Sequence, residues 1–93
     1  MEPKADCFQK TLTVGNQLGI HARVATTVVQ TMRNYASRVT VSKDGVEVDA
    51  RSVLGLLLLA ATPGSEIVVR AEGPDCRQAI EEIGRLITDE DSQ

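Results

Sequence analysis

The sequence predicts an α+β fold in which a four-stranded antiparallel β-sheet carries three α-helices on one face, in the order β-α-β-β-α-β-α. Three observations lead to this prediction. Four segments alternate apolar and polar residues, three others have helical spacing or a helix start signal, and an Asp-Gly pair joins two of the alternating segments. Because the alternating segments have a polar side, we expect one covered face of the sheet.

The length sets the organisation of the chain. With 93 residues, it has room for one modest hydrophobic core and shows no internal repeat or linker. We therefore expect residues 1–93 to form a single domain with a core from about residue 7 to about residue 88 and polar termini that fray.

The first strand and the first helix are predicted on either side of the only histidine. Residues 7–14 have apolar side chains at alternate positions, with Lys10 as the exception, and this period of two predicts a strand. Residues 22–35 repeat apolar side chains at spacings of three and four, which predicts a helix although many are β-branched. We follow the period, because tertiary burial often overrides small differences in helix propensity.

The middle of the chain predicts a β-hairpin. Residues 39–43 and 46–50 flank Asp44-Gly45, a pair that tolerates the positive φ angles of a type I′ turn. A two-residue turn fixes the register of the two strands. We expect Val41 to face Val48 on an apolar side, with polar residues on the other side.

The second helix is predicted over residues 53–61, with Ser52 as its N-cap and residues 62–65 as its end. A short helix that is apolar nearly all round cannot bury every side in a small domain. Part of Val53, Leu54 and Leu57 should therefore be exposed. Two interpretations remain open, a loosely packed core helix and a docking surface for a partner.

The last two elements are the fourth strand and the third helix. Residues 66–72 alternate apolar and polar side chains, which predicts a strand. After the turn at residues 73–75, an apolar stripe with helical spacing runs from Cys76 to Ile87, and Asp75 and Gln78 have the spacing of a capping box.

Composition argues against several classes of function. A net charge of −3 and two aromatic residues argue against nucleic-acid binding, which needs basic surface and stacking rings. Cys7 and Cys76 lack the spacing of metal ligands, so we expect no metal or other cofactor. The two cysteines could form one bridge, but in a reducing cytoplasm we expect two free thiols. We found no signal segment, and the longest apolar run is shorter than the roughly 20 residues of a membrane span. We expect a cytoplasmic monomer that is not inserted in a membrane.

The main candidate site is the segment LGIHAR at residues 18–23, because it places His21 where a strand hands over to a helix. The first turn of a helix has unpaired N–H groups and the positive end of the helix dipole, and Arg23 adds a cation. A neutral imidazole nitrogen is a nucleophile toward phosphorus. The alternative is an ordinary hydrogen-bonded histidine.

A second candidate is Ser52. A serine in front of an apolar run is usually only a helix cap, but a phosphate there would add about two negative charges beside the apolar surface. Arg51 is either a solvated side chain or a contact for a kinase.

These two segments, residues 18–23 and residues 50–55 (ARSVLG), resemble the two signature segments of HPr, the phosphocarrier of the bacterial phosphoenolpyruvate-dependent sugar phosphotransferase system. The resemblance extends from about residue 8 to about residue 88 and implies an open-faced β-sandwich. It also implies that His21 accepts a phosphoryl group on Nδ1 from phospho-enzyme I and passes it to a sugar-specific IIA domain. Arg23 and the backbone N–H groups of Ala22 and Arg23 would hold the phosphate.

The resemblance further implies that Ser52 is a regulatory serine modified by HPr kinase/phosphorylase. The modified form would bind a transcription factor or exchange less with enzyme I. Arg51 would belong to this regulatory segment, while the apolar residues near both segments would form the partner-docking surface. Those residues are Val53, Leu54, Leu57 and Val24.

One residue departs from the family pattern, because Val24 stands where the family normally has proline. Proline presets φ and lacks an N–H, so valine restores a donor and loses local order worth about 0.5–1 kcal/mol. Leu18 stands at a position that is often polar in the family, and its apolar side chain would exclude water from the approach to His21.

Our interpretation is a phosphocarrier, a protein substrate in phosphotransfer that is not an enzyme in its own right. The first alternative is a protein that acts mainly as a regulator through phosphorylated Ser52. The second is an acyl carrier with a modified serine, which would require a helical bundle. The third is a purely structural interaction domain.

Overall fold

The computed structural model describes residues 7–15, 19–59 and 61–88. Two predictions concern residues outside these ranges. They are the fraying of the termini and the effect of Leu18 on access to His21. Seven elements follow one another in the predicted order, which confirms the fold class. They are β1 (Cys7–Thr13), α1 (Ala22–Met32), β2 (Arg38–Lys43), β3 (Val46–Asp49), α2 (Val53–Leu58), β4 (Glu66–Glu72) and α3 (Cys76–Thr88).

The four strands form one antiparallel sheet in the order β1-β4-β2-β3. The hairpin between β2 and β3 has the predicted register, with Val41 opposite Val48. Asp44 and Gly45 have φ angles of 51° and 86°, as a type I′ turn requires. A sheet of this kind is incompatible with the helical bundle that an acyl carrier would need.

The helices lie on one face of the sheet, and the core fills the space between them. Along β4, Ile67, Val69 and Ala71 are buried, whereas the residues between them are exposed or half-buried. The largest fully buried side chains come from all three helices and from the sheet. They include Met32, Leu56, Ile67, Ile80, Ile83 and Ile87.

Two helices end earlier than predicted. α1 ends at Met32, because the N–H groups of Asn34 and Tyr35 turn back to carbonyls three residues earlier and close the helix with a tight turn. α2 ends at Leu58, and beyond it the carbonyl of Ala61 accepts a hydrogen bond from the Ile20 N–H at 3.0 Å. The segment after α2 therefore bonds to the loop in front of α1.

α3 begins at Cys76 as predicted, but the Asp75 carboxylate bonds to groups outside that helix. It accepts hydrogen bonds from the N–H groups of Ala36 and Ser37, both at 2.9 Å, and from the Ser37 hydroxyl at 2.5 Å. These hydrogen bonds, that of the hydroxyl above all, hold the pKa of Asp75 below its ordinary value. The carboxylate thus ties the loop after α1 to the start of α3.

None of the helices in the described ranges is both long enough and apolar enough to span a bilayer.

Candidate functional site

His21 is the N-cap residue of α1, at the predicted junction between an extended segment and a helix. Its backbone is extended, with φ −103° and ψ −176°. Its carbonyl accepts the hydrogen bond of the Ala25 N–H at 2.9 Å, which begins the helical pattern. The side chain of His21 is therefore attached at the point where the first turn of α1 opens to solvent.

The imidazole of His21 caps the helix with its own nitrogen. Nδ1 accepts a hydrogen bond from the Arg23 N–H at 3.3 Å. A nitrogen that accepts a hydrogen bond carries no hydrogen, so we assign the hydrogen of the neutral ring to Nε2. The 3.3 Å distance is beyond the usual range for N–H hydrogen bonds, so this bond is weak. The lone pair of Nδ1 is therefore directed at the start of the helix. The Arg23 N–H that bonds to it is easily displaced by another group.

The surroundings of Nδ1 favour an anion. The N–H groups of Ala22, Arg23 and Val24 precede the first helical hydrogen bond, and the first turn of α1 contains no acidic residue. The Arg23 side chain is exposed, and its guanidinium has no hydrogen-bond or ion-pair partner among residues 7–15, 19–59 and 61–88. A negatively charged group on Nδ1 would meet donors and a cation.

The loop in front of His21 is held by the loop that follows α2. Gly19 has a φ of 75°, and a Cβ atom at this position would overlap the carbonyl oxygen of Ala61. Glycine is thus required for both the backbone conformation and the close approach. The carbonyl of Ala61 also accepts from the Ile20 N–H at 3.0 Å. This role of Ala61 has no signal in the sequence, because it depends only on a backbone atom.

Ser52 is the N-cap residue of α2, which confirms its predicted structural role. Its Oγ accepts a hydrogen bond from the Gly55 N–H at 2.9 Å, and the residue is half-buried. A Cβ atom on Gly55 would lie 3.0 Å from both the Ser52 Oγ and the Val48 Cβ. The glycine therefore allows the start of α2 to sit close to β3 and to its cap.

Arg51 has a role that neither sequence interpretation anticipated. Its guanidinium donates to the carbonyl oxygens of Met32 at 3.1 Å and Tyr35 at 2.6 Å, at the end of α1. The last turn of α1 contains no basic residue, so Arg51 supplies the positive charge that the end of a helix favours. The segment that carries Ser52 is thus attached to the helix that carries His21.

The exposed apolar surface is centred on α2. Leu54 is 67% exposed and Leu58 is 70% exposed, one helical turn apart, while Val53 and Leu57 are half-buried. Leu58 was not among the predicted docking residues, because the sequence pattern does not distinguish the sides of a helix that is apolar all round. Val24 was among them, and the structure corrects this: it is only 5% exposed, because its side chain points into the core.

Within the described ranges, no group of three His, Cys, Asp or Glu side chains is placed to hold a metal ion. Cys7 is exposed and Cys76 is buried, and both are free.

Comparisons with known proteins identify the family of the chain. A family model described as the PTS HPr component phosphorylation site matches residues 8–89. The phosphocarrier protein HPr of Xylella fastidiosa (strain Temecula1) is 45% identical over 75 residues, which cover 81% of this chain and 84% of that protein.

Solved structures give the same result. The crystal structure of a phosphocarrier protein HPr from Bacillus anthracis matches with a TM-score of 0.84 and 32% identity, over 87% of this chain and 96% of that one. The crystal structure of the catabolite repression protein Crh from Bacillus subtilis, a dimer with a swapped domain, matches with a TM-score of 0.73 and 34% identity, over 89% and 95% of the two chains. The chain therefore belongs to the HPr family of phosphocarrier proteins of the phosphotransferase system.

Proposed function

We propose that this protein carries a phosphoryl group on Nδ1 of His21, which it accepts from phospho-enzyme I and passes to sugar-specific IIA domains. The observation that carries the proposal is the hydrogen bond from the Arg23 N–H to Nδ1, because it leaves a nucleophilic lone pair at the start of a helix. The family to which the chain belongs supports the choice of phosphoryl as the group transferred.

The chemistry follows from the groups around Nδ1. As the lone pair of Nδ1 forms a bond to phosphorus, the bond between phosphorus and the donor breaks and its electron pair leaves with the donor. The phosphoryl group brings about two negative charges, which the first-turn N–H groups and the Arg23 guanidinium offset. Because the original hydrogen bond to Nδ1 is weak, little stabilisation is lost when phosphorus takes its place.

We propose that Ser52 is a second, regulatory site, phosphorylated on Oγ by HPr kinase/phosphorylase. The position of Ser52 as an N-cap supports this, because the oxygens of a phosphate can accept the Gly55 N–H in place of the hydroxyl and leave α2 intact. The added charge would lie beside the exposed leucines of α2. Arg51 holds the adjacent turn in position through the end of α1.

The docking surface for enzyme I and IIA domains is proposed to consist of Leu54 and Leu58, with the half-buried Val53 and Leu57 beside them. The support is their exposure on a six-residue helix that contacts the helix carrying His21. Val24 is left out, because its side chain is buried.

We also propose a location and an oligomeric state for the protein. The protein forms one domain over residues 1–93, is located in the cytoplasm and acts as a monomer. The swapped dimer of Crh defines the alternative, which light scattering of the purified protein distinguishes by its mass.

A regulatory function without sugar transport is the second candidate. It is favoured by the similarity to the HPr-like protein Crh of Bacillus subtilis, which is 34% identical over 82 residues. In that case the form phosphorylated on Ser52 would bind a transcription factor, and phosphorylation of His21 would be slow.

One experiment separates the two candidates. The protein is incubated with enzyme I and phosphoenolpyruvate, and separately with HPr kinase/phosphorylase. The carrier proposal predicts an acid-labile phosphate with enzyme I that is lost in His21→Ala and retained in Ser52→Ala. His21→Gln, which keeps an acceptor at the helix cap, is the control for folding. If only an acid-stable phosphate forms, and Ser52→Ala abolishes it, the carrier proposal is wrong and the regulatory one stands.

A further inference from the structure

We propose that the backbone N–H of Val24 donates a hydrogen bond to the phosphoryl group on His21, as a third donor besides the N–H groups of Ala22 and Arg23. The inference rests on the proposed function, because it concerns the group that His21 would carry. It assigns to Val24 a positioning role that depends on its backbone alone.

Val24 lies in the first turn of α1, close to the N-cap. With His21 as the N-cap, Arg23 is the second residue of α1 and Val24 is the third. The side chain of an N-cap residue accepts hydrogen bonds from the N–H groups of these two residues in helices generally. An acceptor attached to the His21 side chain is therefore within the range of both.

The Val24 N–H is available as a donor. The N–H of Arg23 bonds to Nδ1, and the N–H of Ala25 bonds to the His21 carbonyl. No group in residues 7–15, 19–59 or 61–88 accepts a hydrogen bond from the Val24 N–H. Within the described ranges, the third residue of the helix thus has an unpaired donor in the same turn as the N–H that bonds to Nδ1.

This donor is also fixed in place. Val24 is only 5% exposed, so its side chain is held in the core and the backbone cannot easily turn away. Arg23, in contrast, is exposed, and its guanidinium must be ordered when it meets the phosphate. A donor that is already oriented stabilises charge without reorganisation.

Phosphorylation changes which atoms accept these donors. The bond from Nδ1 to phosphorus uses the lone pair that accepted the Arg23 N–H, so that N–H loses its partner. The phosphoryl oxygens, which carry about two negative charges, become the new acceptors in place of Nδ1. They extend farther from the ring than Nδ1 does. They are acceptors for Arg23 and Val24 together, because the two N–H groups are neighbours in one turn.

The residue type at this position decides whether the donor exists. Proline has no N–H, whereas valine has one. Because the hydrogen bond favours the more negative form of the phosphoryl group, it lowers the pKa of that group. It also shifts the equilibrium of phosphoryl uptake toward the phosphorylated protein, by about 3- to 10-fold for one hydrogen bond.

The experiment uses the full chain labelled with ¹⁵N, phosphorylated with enzyme I and phosphoenolpyruvate or, in a second arm, with phosphoramidate. We expect the amide proton of Val24 to move downfield on phosphorylation together with that of Arg23. The phosphorus signal, followed against pH, should give a higher pKa for the phosphoryl group in Val24→Pro. The matched control Val24→Ile keeps both the N–H and a β-branched apolar side chain at this buried position, and it should give a lower pKa and a more favourable uptake equilibrium than Val24→Pro.

The outcomes separate this inference from the proposed function. If His21 is phosphorylated and the amide of Arg23 moves while that of Val24 does not, the inference is wrong and the carrier proposal stands. If enzyme I gives no phosphohistidine but phosphoramidate does, the carrier proposal is wrong and the amide of Val24 still tests the inference. If neither reagent gives phosphohistidine, both are wrong.

Discussion

The starts of α1 and α2 are both capped by a side chain, but the two caps differ in strength and in what supports them. Nδ1 of His21 lies 3.3 Å from the N–H it accepts, whereas Oγ of Ser52 lies 2.9 Å from its partner. α1 has eleven residues, five of them buried, whereas α2 has six residues and one buried side chain. α1 has more core contacts to stabilise it, so we expect its stability to depend less on its cap than that of α2 does.

The largest effect is expected from a substitution that displaces the loop in front of α1. Gly19→Ala should lower the free energy of unfolding by about 2–4 kcal/mol, because it combines a positive φ with an overlap at the Ala61 carbonyl. Urea unfolding measures the change. Gly45→Ala is the matched control, since Gly45 also has a positive φ but no atom within 4 Å of the added Cβ. Equal losses in the two variants would show that the contact with Ala61 contributes nothing.

The two caps themselves provide the next comparison. Ser52→Ala should lower the free energy of unfolding by about 1 kcal/mol, and His21→Ala by less than about 0.5 kcal/mol, because the second removes a long hydrogen bond. Ser52→Asp, which retains a capping oxygen, is the control. If urea unfolding showed a larger loss for His21→Ala than for Ser52→Ala, the cap at His21 would be the stronger of the two.

Asp75 gives a smaller effect that depends on pH. Its pKa is lowered in the folded state, mainly by the Ser37 hydroxyl, so it contributes stability above its ordinary pKa of 3.8. This stabilisation should be lost as the pH falls through the lowered pKa of Asp75 in the folded protein. We expect thermal unfolding of Asp75→Asn to occur at a lower temperature than that of the unsubstituted protein at pH 7, with the gap closing below pH 3.8. A gap that stays constant with pH would exclude the carboxylate as its cause.

The smallest effect on stability is expected on the exposed side of α2. Leu54→Ser should change the free energy of unfolding by less than about 0.5 kcal/mol, because the side chain is 67% exposed. The same variant should slow phosphoryl transfer from enzyme I, measured as the initial rate of phosphorylation. Leu56→Ala, at a fully buried position on the same helix, is the contrasting case and should reduce stability instead. An unchanged rate in Leu54→Ser would remove this leucine from the docking surface.

The parts of this structure that the sequence predicted are those governed by short-range rules. A two-residue turn determines the register of the hairpin, and the cap at Ser52 depends on a partner three residues away. The position of His21 at the start of a helix follows from the residues around it, whereas its capping through Nδ1 was not predicted. The alternation of apolar residues predicted the covered face of the sheet. These features are visible in the chain because their partners are close in sequence.

The features that the sequence did not reveal depend on partners far along the chain. Arg51 reaches carbonyls 16 and 19 residues earlier, and Asp75 reaches Ser37 across 38 residues. Arg51 donates to backbone carbonyls, whereas Asp75 accepts from backbone N–H groups and a hydroxyl, and neither set of distant partners forms a local sequence pattern. The burial of Val24 and the exposure of Leu58 likewise depend on how the helices are turned against the sheet.

We propose that Nδ1 of His21 is both the nucleophile and the atom that carries the phosphoryl group. The most direct measurement is a long-range ¹H–¹⁵N spectrum of the His21 ring before and after treatment with enzyme I and phosphoenolpyruvate. Before treatment, we expect Nε2 of the neutral ring to carry the hydrogen and Nδ1 to be free of it. After treatment, we expect coupling between phosphorus and Nδ1. Coupling to Nε2, or a ring that stays unchanged while Ser52 gains the phosphate, would contradict the account.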